Sequence, residues 1–263
     1  MLLKNGIDVS EFQYIDSWED IKKNIDFVIL RAGFGYSTLD SNFEYNVSKV
    51  NKLGIPYGAY WFSYAKDVRS AEMEAEYFCA TMKRYKKPDL PLYWDFEYDS
   101  ERYCQKFGIT VTKKLFNDMM LSFCRKVKEW GFKPGIYTNP DYLNRLADKS
   151  IIEKEGISLW LASWKDNPEY SNPPIKCDIW QYASDGRIPG IYGEIDLDFC
   201  YLDTEQKPEK SMNEKIDDIT NKYNSICKDI MLGKYGSGAE RKAALGKDYD
   251  IAQSIINELF GVM

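Results

Sequence analysis

Residues 90–97 read Leu-Pro-Leu-Tyr-Trp-Asp-Phe-Glu, an apolar run that ends in two acidic residues. A short, almost continuous apolar run is typical of a buried β-strand. Residues i and i+2 of a strand point to the same side, so Asp95 and Glu97 should point in one direction. Acidic side chains inside a fold are costly unless they are paired or face a cleft. The stretch therefore predicts a buried strand that presents two carboxyl groups to a cleft.

Seven similar apolar runs accompany this one along the first 200 residues. The eight strand candidates are 6–9, 27–32, 57–63, 90–96, 135–138, 159–162, 179–182 and 195–199. Helical patterns near 18–24, 41–53, 67–86 and 112–130 separate the early strands, whereas little room is left for helices between the last ones. Strand–helix alternation favours a parallel sheet with crossover helices. Eight strands of this kind predict an α/β fold, an irregular TIM-like barrel.

The composition excludes several classes of protein. The chain has 263 residues and no histidine, which rules out Ser-His-Asp and Cys-His relays and histidine-ligated zinc. Its 35 basic and 41 acidic residues give a net charge of −6, which argues against a nucleic-acid partner. Six cysteines at wide spacings, without a Cys-x-x-Cys motif, predict buried free thiols.

Acidic residues recur in the first, fourth and eighth strand candidates. In a barrel of this kind the carboxyl ends of the strands form the active-site face, so Asp8, Asp95, Glu97 and Asp196 should meet at one mouth. Crowded carboxyl groups push their pKa values apart, so one stays protonated as a general acid while another stays ionised. That combination suits cleavage of a glycosidic bond.

Aromatic residues follow the same strands and could hold sugar rings. The predicted substrate contacts are Tyr60, Trp61, Tyr64, Tyr137, Trp160, Trp180 and the cation Arg31. Three alternatives stay open. The acids could bind Mg²⁺ or Ca²⁺, the rings could belong to the core, and Arg31 could form a structural ion pair with Asp40. Our own prediction includes no metal and no cofactor.

An ordered set of motifs over residues 6–199 resembles the family 25 glycoside hydrolases, the Chalaropsis-type lysozymes or N-acetylmuramidases. The matching residues are Gly6-Ile7-Asp8-Val9-Ser10 with Gln13, Phe27-Val28-Ile29-Leu30-Arg31-Ala32-Gly33, Asp40, Phe43, Asn46, Gly54-Ile55-Pro56-Tyr57-Gly58-Ala59-Tyr60-Trp61, Tyr93-Trp94-Asp95-Phe96-Glu97, Gly135-Ile136-Tyr137-Thr138, Leu159-Trp160-Leu161-Ala162, Trp180-Gln181-Tyr182 and Ile195-Asp196-Leu197-Asp198.

The resemblance implies a barrel of eight strands and about five helices. It also implies cleavage of the β-1,4 bond between N-acetylmuramic acid and N-acetylglucosamine in bacterial peptidoglycan. By the same resemblance Glu97 is the general acid, and Asp95 steadies the developing charge or the substrate's acetamido group. Asp8 and Asp196 complete the acidic cluster. A barrel that binds glycan without cutting it is the alternative.

The chain changes character near Asp203. Residues 204–211 are polar with one proline, which predicts three segments: a muramidase domain over 1–203, a linker over 204–212 and a small three-helix bundle over 213–263. The last segment resembles the type 7 cell-wall-binding repeat, through Leu232-Gly233-Lys234-Tyr235-Gly236-Ser237-Gly238, Glu240-Arg241, Leu245, Tyr249-Asp250, Gln253 and Asn257. The resemblance implies that Arg241, Tyr235, Tyr249 and Gln253 contact a peptidoglycan fragment.

Bacterial peptidoglycan is the expected partner, with no nucleic acid and no membrane. The N-terminal residues have no apolar stretch and no cleavage site of a secretory signal. We therefore expect a protein made in a bacterial or host cytoplasm that acts on the wall after release, as a phage lysin or, alternatively, a bacterial autolysin. The oligomeric state is not determined, and a monomer is favoured. The helical pattern from 212 to 230 could instead dimerise, but it falls short of three heptads.

Overall fold

The structure is a computed structural model that describes residues 4–165, 168–202 and 212–260. The described residues fall into two compact units, divided between Glu205 and Gln206. Nearly all of the predicted linker, 204–211, lies outside the described residues.

Eleven strands and ten α-helices form the described parts of the chain. The strands are β1 (Asn5–Val9), β2 (Tyr14–Ile15), β3 (Phe27–Phe34), β4 (Thr38–Leu39), β5 (Tyr57–Phe62), β6 (Leu92–Asp95), β7 (Pro134–Thr138), β8 (Ser158–Ala162), β9 (Ile179–Gly186), β10 (Ile191–Tyr192) and β11 (Ile195–Cys200). The helices are α1 (Trp18–Ile21), α2 (Phe43–Leu53), α3 (Val68–Met82), α4 (Tyr98–Lys106), α5 (Lys113–Glu129), α6 (Pro140–Arg145), α7 (Lys149–Glu155), α8 (Met212–Met231), α9 (Gly238–Leu245) and α10 (Tyr249–Phe260).

Eight strands close into a barrel in the order β1-β3-β5-β6-β7-β8-β9-β11, with β11 paired back to β1. The predicted α/β barrel is thereby confirmed. The expectation of a parallel sheet is wrong at one strand, because β11 runs antiparallel to both β1 and β9. Only residues 187–194 join β9 to β11. A parallel return needs a crossover of a dozen residues or more, so this short connection reverses the strand.

The barrel has an inner and an outer apolar layer. The inner cluster contains Phe27, Ile29, Tyr60, Leu90, Tyr93, Trp160, Ile179 and Cys200. A much larger cluster contains the side chains between the sheet and the helices. Two glycines make room inside: a Cβ on Gly6 would lie 2.4 Å from the ring of Phe27, and one on Gly135 would lie 2.4 Å from the ring of Tyr93.

Seven helices precede residue 203, where about five were expected. The four predicted patterns correspond to α1, α2, α3 and α5. The sequence analysis missed α4, α6 and α7, which are 9, 6 and 7 residues long. Their ends are set by polar caps: Asn139 accepts from the Tyr142 amide at the start of α6, and Asp148 accepts from Ser150 at the start of α7. Elements this short carry too few apolar positions for a periodicity to stand out.

The C-terminal unit contains three helices, as predicted. Its core consists of Cys227, Ile230, Ala252 and Ile256, which join α8 to α10. All six cysteines of the chain are buried and unpaired. Among the described residues no helix is both long and apolar enough to cross a membrane.

Candidate active site

The mouth of the barrel is lined by polar side chains, one layer above the inner aromatic residues. Asp8 on β1 lies directly opposite Asp196 on β11 in the strand register. Asp196 reaches this end only because β11 is reversed, since it stands at the beginning of its strand and not at its carboxyl end. The expected meeting of acids at one mouth therefore occurs, although the reasoning for the last strand was wrong.

Asp95 and Glu97 form a coupled pair of carboxyl groups. Asp95 is the last residue of β6, and Glu97 is the residue before α4, with an extended backbone that keeps both side chains on one side. Burial raises the pKa of Asp95 well above its ordinary value, and the neighbouring Glu97 raises it further. Burial also raises the pKa of Glu97, although the hydrogen bond that its carboxyl group accepts from Asp95 lowers it in part. Two carboxyl groups can share a hydrogen bond only when one of them carries a proton.

The two carboxyl groups differ in exposure. Asp95 is only 3% exposed, and its Oδ1 atom is buried without a hydrogen-bond partner among the described residues. Glu97 is half-buried and open on one side. A group that gives its proton to a substrate must reach the cleft, so Glu97 is the better placed of the two.

Asp8, Asp196 and Asp198 form a second cluster of acids. Burial raises the pKa of Asp8 well above its ordinary value, and the two neighbouring carboxylates raise it further. Burial raises the pKa of Asp196 to about 6 and that of Asp198 to about 8. The pKa of Asp198 would be higher without the Trp160 indole, whose Nε1 donates to Oδ1 at 2.8 Å. Crowding at low solvent exposure therefore keeps part of this cluster protonated at neutral pH.

Gln181 is a site residue that the sequence analysis quoted in a motif but did not select. Its Nε2 donates to Asp8 Oδ2 at 2.8 Å, and its Oε1 accepts from the Tyr137 hydroxyl at 2.9 Å. Trp164, which is 65% exposed, also donates to Oε1 at 3.3 Å. The sequence did hold a signal for Gln181. Neighbouring residues of a strand point to opposite sides, so Gln181 faces inward on β9 because Trp180 faces outward.

Arg31 forms the structural ion pair that was the alternative for it. Its Nε donates to Asp40 Oδ2 at 2.7 Å, and its second guanidinium nitrogen donates to Glu11 Oε1 at 2.8 Å. The guanidinium is 9% exposed, yet its charge still lowers the pKa of Asp95. Arg31 therefore affects the acidic residues at the mouth through its positive charge.

The predicted aromatic contacts separate into two groups. Tyr60, Tyr137 and Trp160 point into the barrel, with Trp160 packed edge-on against Tyr137 at 4.6 Å and Tyr60 at 5.7 Å between ring centroids. Trp160 is 1% exposed and forms the floor of the mouth, and Tyr137 is half-buried above it. Tyr64 follows β5, half-buried against Tyr103.

Trp61 and Trp180 do not reach the mouth, contrary to the prediction. Both are fully buried in the layer between the sheet and the helices. Trp61 donates to the carbonyl of Gly35 at 2.7 Å, and Trp180 donates to that of Ser163 at 2.8 Å. They are core residues because their neighbours Tyr60 and Gln181 occupy the inward side of the same strands.

Of the four residues predicted for wall binding, Arg241 and Gln253 are in contact. Arg241 donates to the Gly236 carbonyl at 2.8 Å and to Gln253 Oε1 at 3.1 Å. Tyr235 packs against the core, and the ring of Tyr249 lies 5.6 Å from the ammonium group of Lys242. All four are partly exposed.

The arrangement of the acids also bears on metal binding. No group of three or more carboxylate or thiol side chains in the described part of the chain is arranged to hold a metal ion. The geometry offers two carboxyl groups that share a proton, one of them half-buried beside the cleft, and an aromatic floor. That arrangement can protonate a leaving-group oxygen and stabilise a cation next to it.

Two family profiles match the chain. Residues 7–191 match the profile described as Glycosyl hydrolases family 25, and residues 224–260 match the CW_7 repeat. The chain is 25% identical over 196 residues to Lysozyme M1 of Streptomyces globisporus, covering 73% of this chain and 65% of that protein. It is 26% identical over 168 residues to the Lysozyme of Lactococcus phage mv1, covering 60% and 78% respectively.

Solved structures are also similar. The modular autolysin LytC from Streptococcus pneumoniae superposes with a TM-score of 0.63 at 26% identity. The match covers 75% of this chain and 46% of that one. The chain thus spans about two thirds of the length of the Streptomyces relative and less than half of the autolysin.

Proposed function

This chain belongs to the glycosyl hydrolases of family 25, and we propose that it is a lysozyme that cuts the glycan of bacterial peptidoglycan. The bond is the β-1,4 linkage that follows N-acetylmuramic acid. The observation that carries the proposal is the hydrogen-bonded pair Asp95 and Glu97, with raised pKa values, at a barrel mouth floored by aromatic rings. Relatives named lysozyme support the substrate class.

Glu97 is the general acid in this proposal. Its proton passes to the glycosidic oxygen while the bond from that oxygen to the anomeric carbon breaks, so the leaving sugar departs as a neutral alcohol. The bonding electrons stay with the oxygen, and positive charge develops on the anomeric carbon and ring oxygen. The raised pKa keeps the proton on the enzyme until the substrate arrives.

Asp95 stabilises the developing cation more strongly as the proton leaves the pair. Before transfer, one proton is shared by Asp95 and Glu97, and afterwards both are ionised beside the cation. The negative charge next to the anomeric centre therefore grows as the positive charge appears, which stabilises the transition state more than the bound substrate. Asp196, whose pKa of about 6 leaves it ionised at neutral pH, adds to this negative field, and Asp8 lies directly opposite it in the strand register.

Substrate contact is assigned to the accessible aromatic residues. Tyr137, Tyr64 and the exposed Trp164 line the opening, whereas Tyr60 and Trp160 support it from below. Because Trp164 donates to Gln181, which in turn donates to Asp8, a sugar stacked on Trp164 is linked to the acidic cluster through one side chain.

The decisive experiment digests purified peptidoglycan and identifies the new ends. Fragments are reduced with borohydride and analysed by mass spectrometry, using wild type, Glu97→Gln and the surface control Glu44→Gln. New reduced muramic acid ends are expected with wild type and the control, and none with Glu97→Gln. Reduced glucosamine ends would identify a glucosaminidase. An absence of new ends from folded protein on several wall types would favour a barrel that only binds glycan.

A parallel digestion in EDTA tests the metal alternative. Undiminished release of fragments is expected, because the proposed chemistry uses only carboxyl groups. Loss of activity in EDTA, restored by Mg²⁺ or Ca²⁺, would replace the acid mechanism with a metal-assisted one.

The C-terminal unit is proposed to hold the enzyme on the wall. The CW_7 match over residues 224–260 supports this role. A second contact on the same polymer raises the local concentration of the barrel at its substrate. Deleting residues 205–263 should therefore reduce lysis of whole cells more than hydrolysis of soluble fragments. Equal losses on both would mean that the unit stabilises the barrel instead.

The place of action in this proposal is the bacterial wall, and both a phage and a bacterial origin are compatible with it. A phage lysozyme and a bacterial autolysin are both among the similar proteins.

A further inference from the structure

Two exposed tyrosines face each other across a small sheet at the mouth end of the barrel. Strand β2 pairs antiparallel with β10, and Tyr14 lies directly opposite Tyr192. Their ring centroids are 5.3 Å apart, and the residues are 67% and 65% exposed. A cross-strand pair of rings stabilises such a sheet, but most of both rings still faces water.

The pair is continuous with the catalytic mouth. Tyr14 lies six residues after Asp8, and Tyr192 lies four residues before Asp196, so the small sheet grows from the two strands that carry these acids. Phe12 connects the two regions: it is 78% exposed, and its ring lies 4.7 Å from the guanidinium of Arg31.

We propose that this aromatic rim, defined as Phe12, Tyr14 and Tyr192, binds further sugar units of the glycan strand that is being cut. The inference rests on the proposed function and extends it to a preference for long strands over short fragments. Large exposed aromatic surfaces beside a cleft mark binding sites, because water leaves them readily when a flat apolar face covers them. The C–H face of a sugar ring is such a surface.

The rim is held rigidly, as a binding surface should be. The amides of Asp16 and Ser17 donate to the carbonyl of Gly190 at 2.8 and 3.2 Å, which fastens the loop before β10 onto the loop after β2. Gly190 has φ +96°, and a Cβ there would lie 2.4 Å from the Ser17 carbonyl oxygen. Only glycine fits this approach, so the relative position of the two tyrosines is set before a ligand arrives.

The charges around the rim disfavour a highly anionic polymer. The exposed acids Asp16 and Glu194 lie on the loops beside the rim, Asp185 lies near the end of β9, and Arg187 is 3.6 Å from Glu194. A phosphate-rich wall polymer would be repelled by this excess of negative charge. N-acetylglucosamine carries no charge, and N-acetylmuramic acid carries at most one lactyl carboxylate, so a glycan strand meets a smaller barrier than a polyphosphate.

The test compares a long and a short substrate. Three variants are assayed on linear glycan strands freed of stem peptides and on a tetrasaccharide. They are the double alanine variant Tyr14→Ala/Tyr192→Ala, the double phenylalanine variant Tyr14→Phe/Tyr192→Phe, and the control Tyr45→Ala. Tyr45 lies on α2 and is 53% exposed. In the double alanine variant the ratio of kcat/KM for strands to that for the tetrasaccharide should fall roughly tenfold, mainly through KM. The double phenylalanine variant keeps both rings and should keep the ratio, as should the control.

Several outcomes would overturn the proposal. An unchanged ratio in the double alanine variant would remove the rim from strand binding. Strands that still carry stem peptides serve as a third substrate, and a loss seen only on these would mean that the rim contacts peptide. Co-sedimentation of the Glu97→Gln protein with insoluble strands, with and without the alanine pair, reports binding without turnover. It separates failure of the rim from failure of the proposed chemistry.

Discussion

Replacing Glu74 with glutamine should remove a large part of the pH dependence of the barrel's stability. Glu74 lies on α3 and is 2% exposed. Its Oε2 accepts from the Ser63 hydroxyl at 2.5 Å, and its Oε1 accepts from the Tyr64 amide at 2.9 Å. Burial outweighs these bonds and raises the pKa of Glu74 from 4.5 to about 8. Glutamine keeps an acceptor for the Tyr64 amide and cannot ionise.

The direction follows from proton binding. Between pH 4.5 and 8 the folded protein holds a proton on Glu74 that the unfolded chain has released, so the free energy of unfolding falls as the pH rises through this range. At 1.36 kcal/mol for each pH unit, the shift corresponds to about 5 kcal/mol, an order-of-magnitude figure. Even a third of this difference in unfolding free energy is easily measured.

Urea unfolding from pH 4.5 to 8.5, followed by tryptophan fluorescence, is the assay. All seven tryptophans lie at or before Trp180, so the signal reports the barrel alone. Wild type should lose stability toward high pH more steeply than Glu74→Gln, so the two curves lie close together at low pH and diverge as the pH rises. Glu76→Gln, on the same helix and with 42% of its side chain exposed, should follow wild type. Parallel curves for wild type and Glu74→Gln would refute the reasoning.

Two further predictions concern the supports of the site. Trp160→Phe removes the N–H that donates to Asp198. Loss of this bond should raise the pKa of Asp198 and shift the pH profile of hydrolysis. It should also lower the free energy of unfolding by about 1.5–3 kcal/mol. Trp180→Phe, which removes a bond to the Ser163 carbonyl, should change stability alone, and equal shifts of both pH profiles would contradict this assignment. Arg145→Met breaks a two-bond contact with Glu101 (3.0 and 2.8 Å) that ties α6 to α4, the helix that begins next to Glu97. The variant should lower kcat about threefold to tenfold, because Glu97 is misplaced. Arg125→Met breaks a surface pair with Glu155 and should leave kcat unchanged. Equal kcat values in the two variants would count against a positioning role for Arg145.

Much of the fold was readable from local patterns. The eight barrel strands coincide with the eight apolar runs to within a few residues at each end. Each run is buried on both sides by a closed barrel and its helices, which leaves a strong and continuous apolar signal. The same continuity hides which residues point inward. That is why Trp61 and Trp180 were assigned to the mouth together with Tyr60 and Trp160.

The direction of the last strand was readable in principle. The eight residues between β9 and β11 are too few for a parallel crossover. Asp196 was nevertheless expected at a carboxyl end. It reaches the mouth because strand reversal exchanges the two ends of a strand.

The sequence by itself determined the eight-strand architecture, the absence of histidine chemistry and the order of the acids Asp8, Asp95, Glu97 and Asp196 along the chain. These follow from apolar runs and residue types, which are local properties. Only the tertiary structure decided that Gln181 links Asp8 to Tyr137, that Arg31 is held by Asp40, and that two tryptophans face away from the mouth. Those facts depend on the register and closure of the barrel, because hydrogen bonds between strands join residues as far apart as 8 and 181.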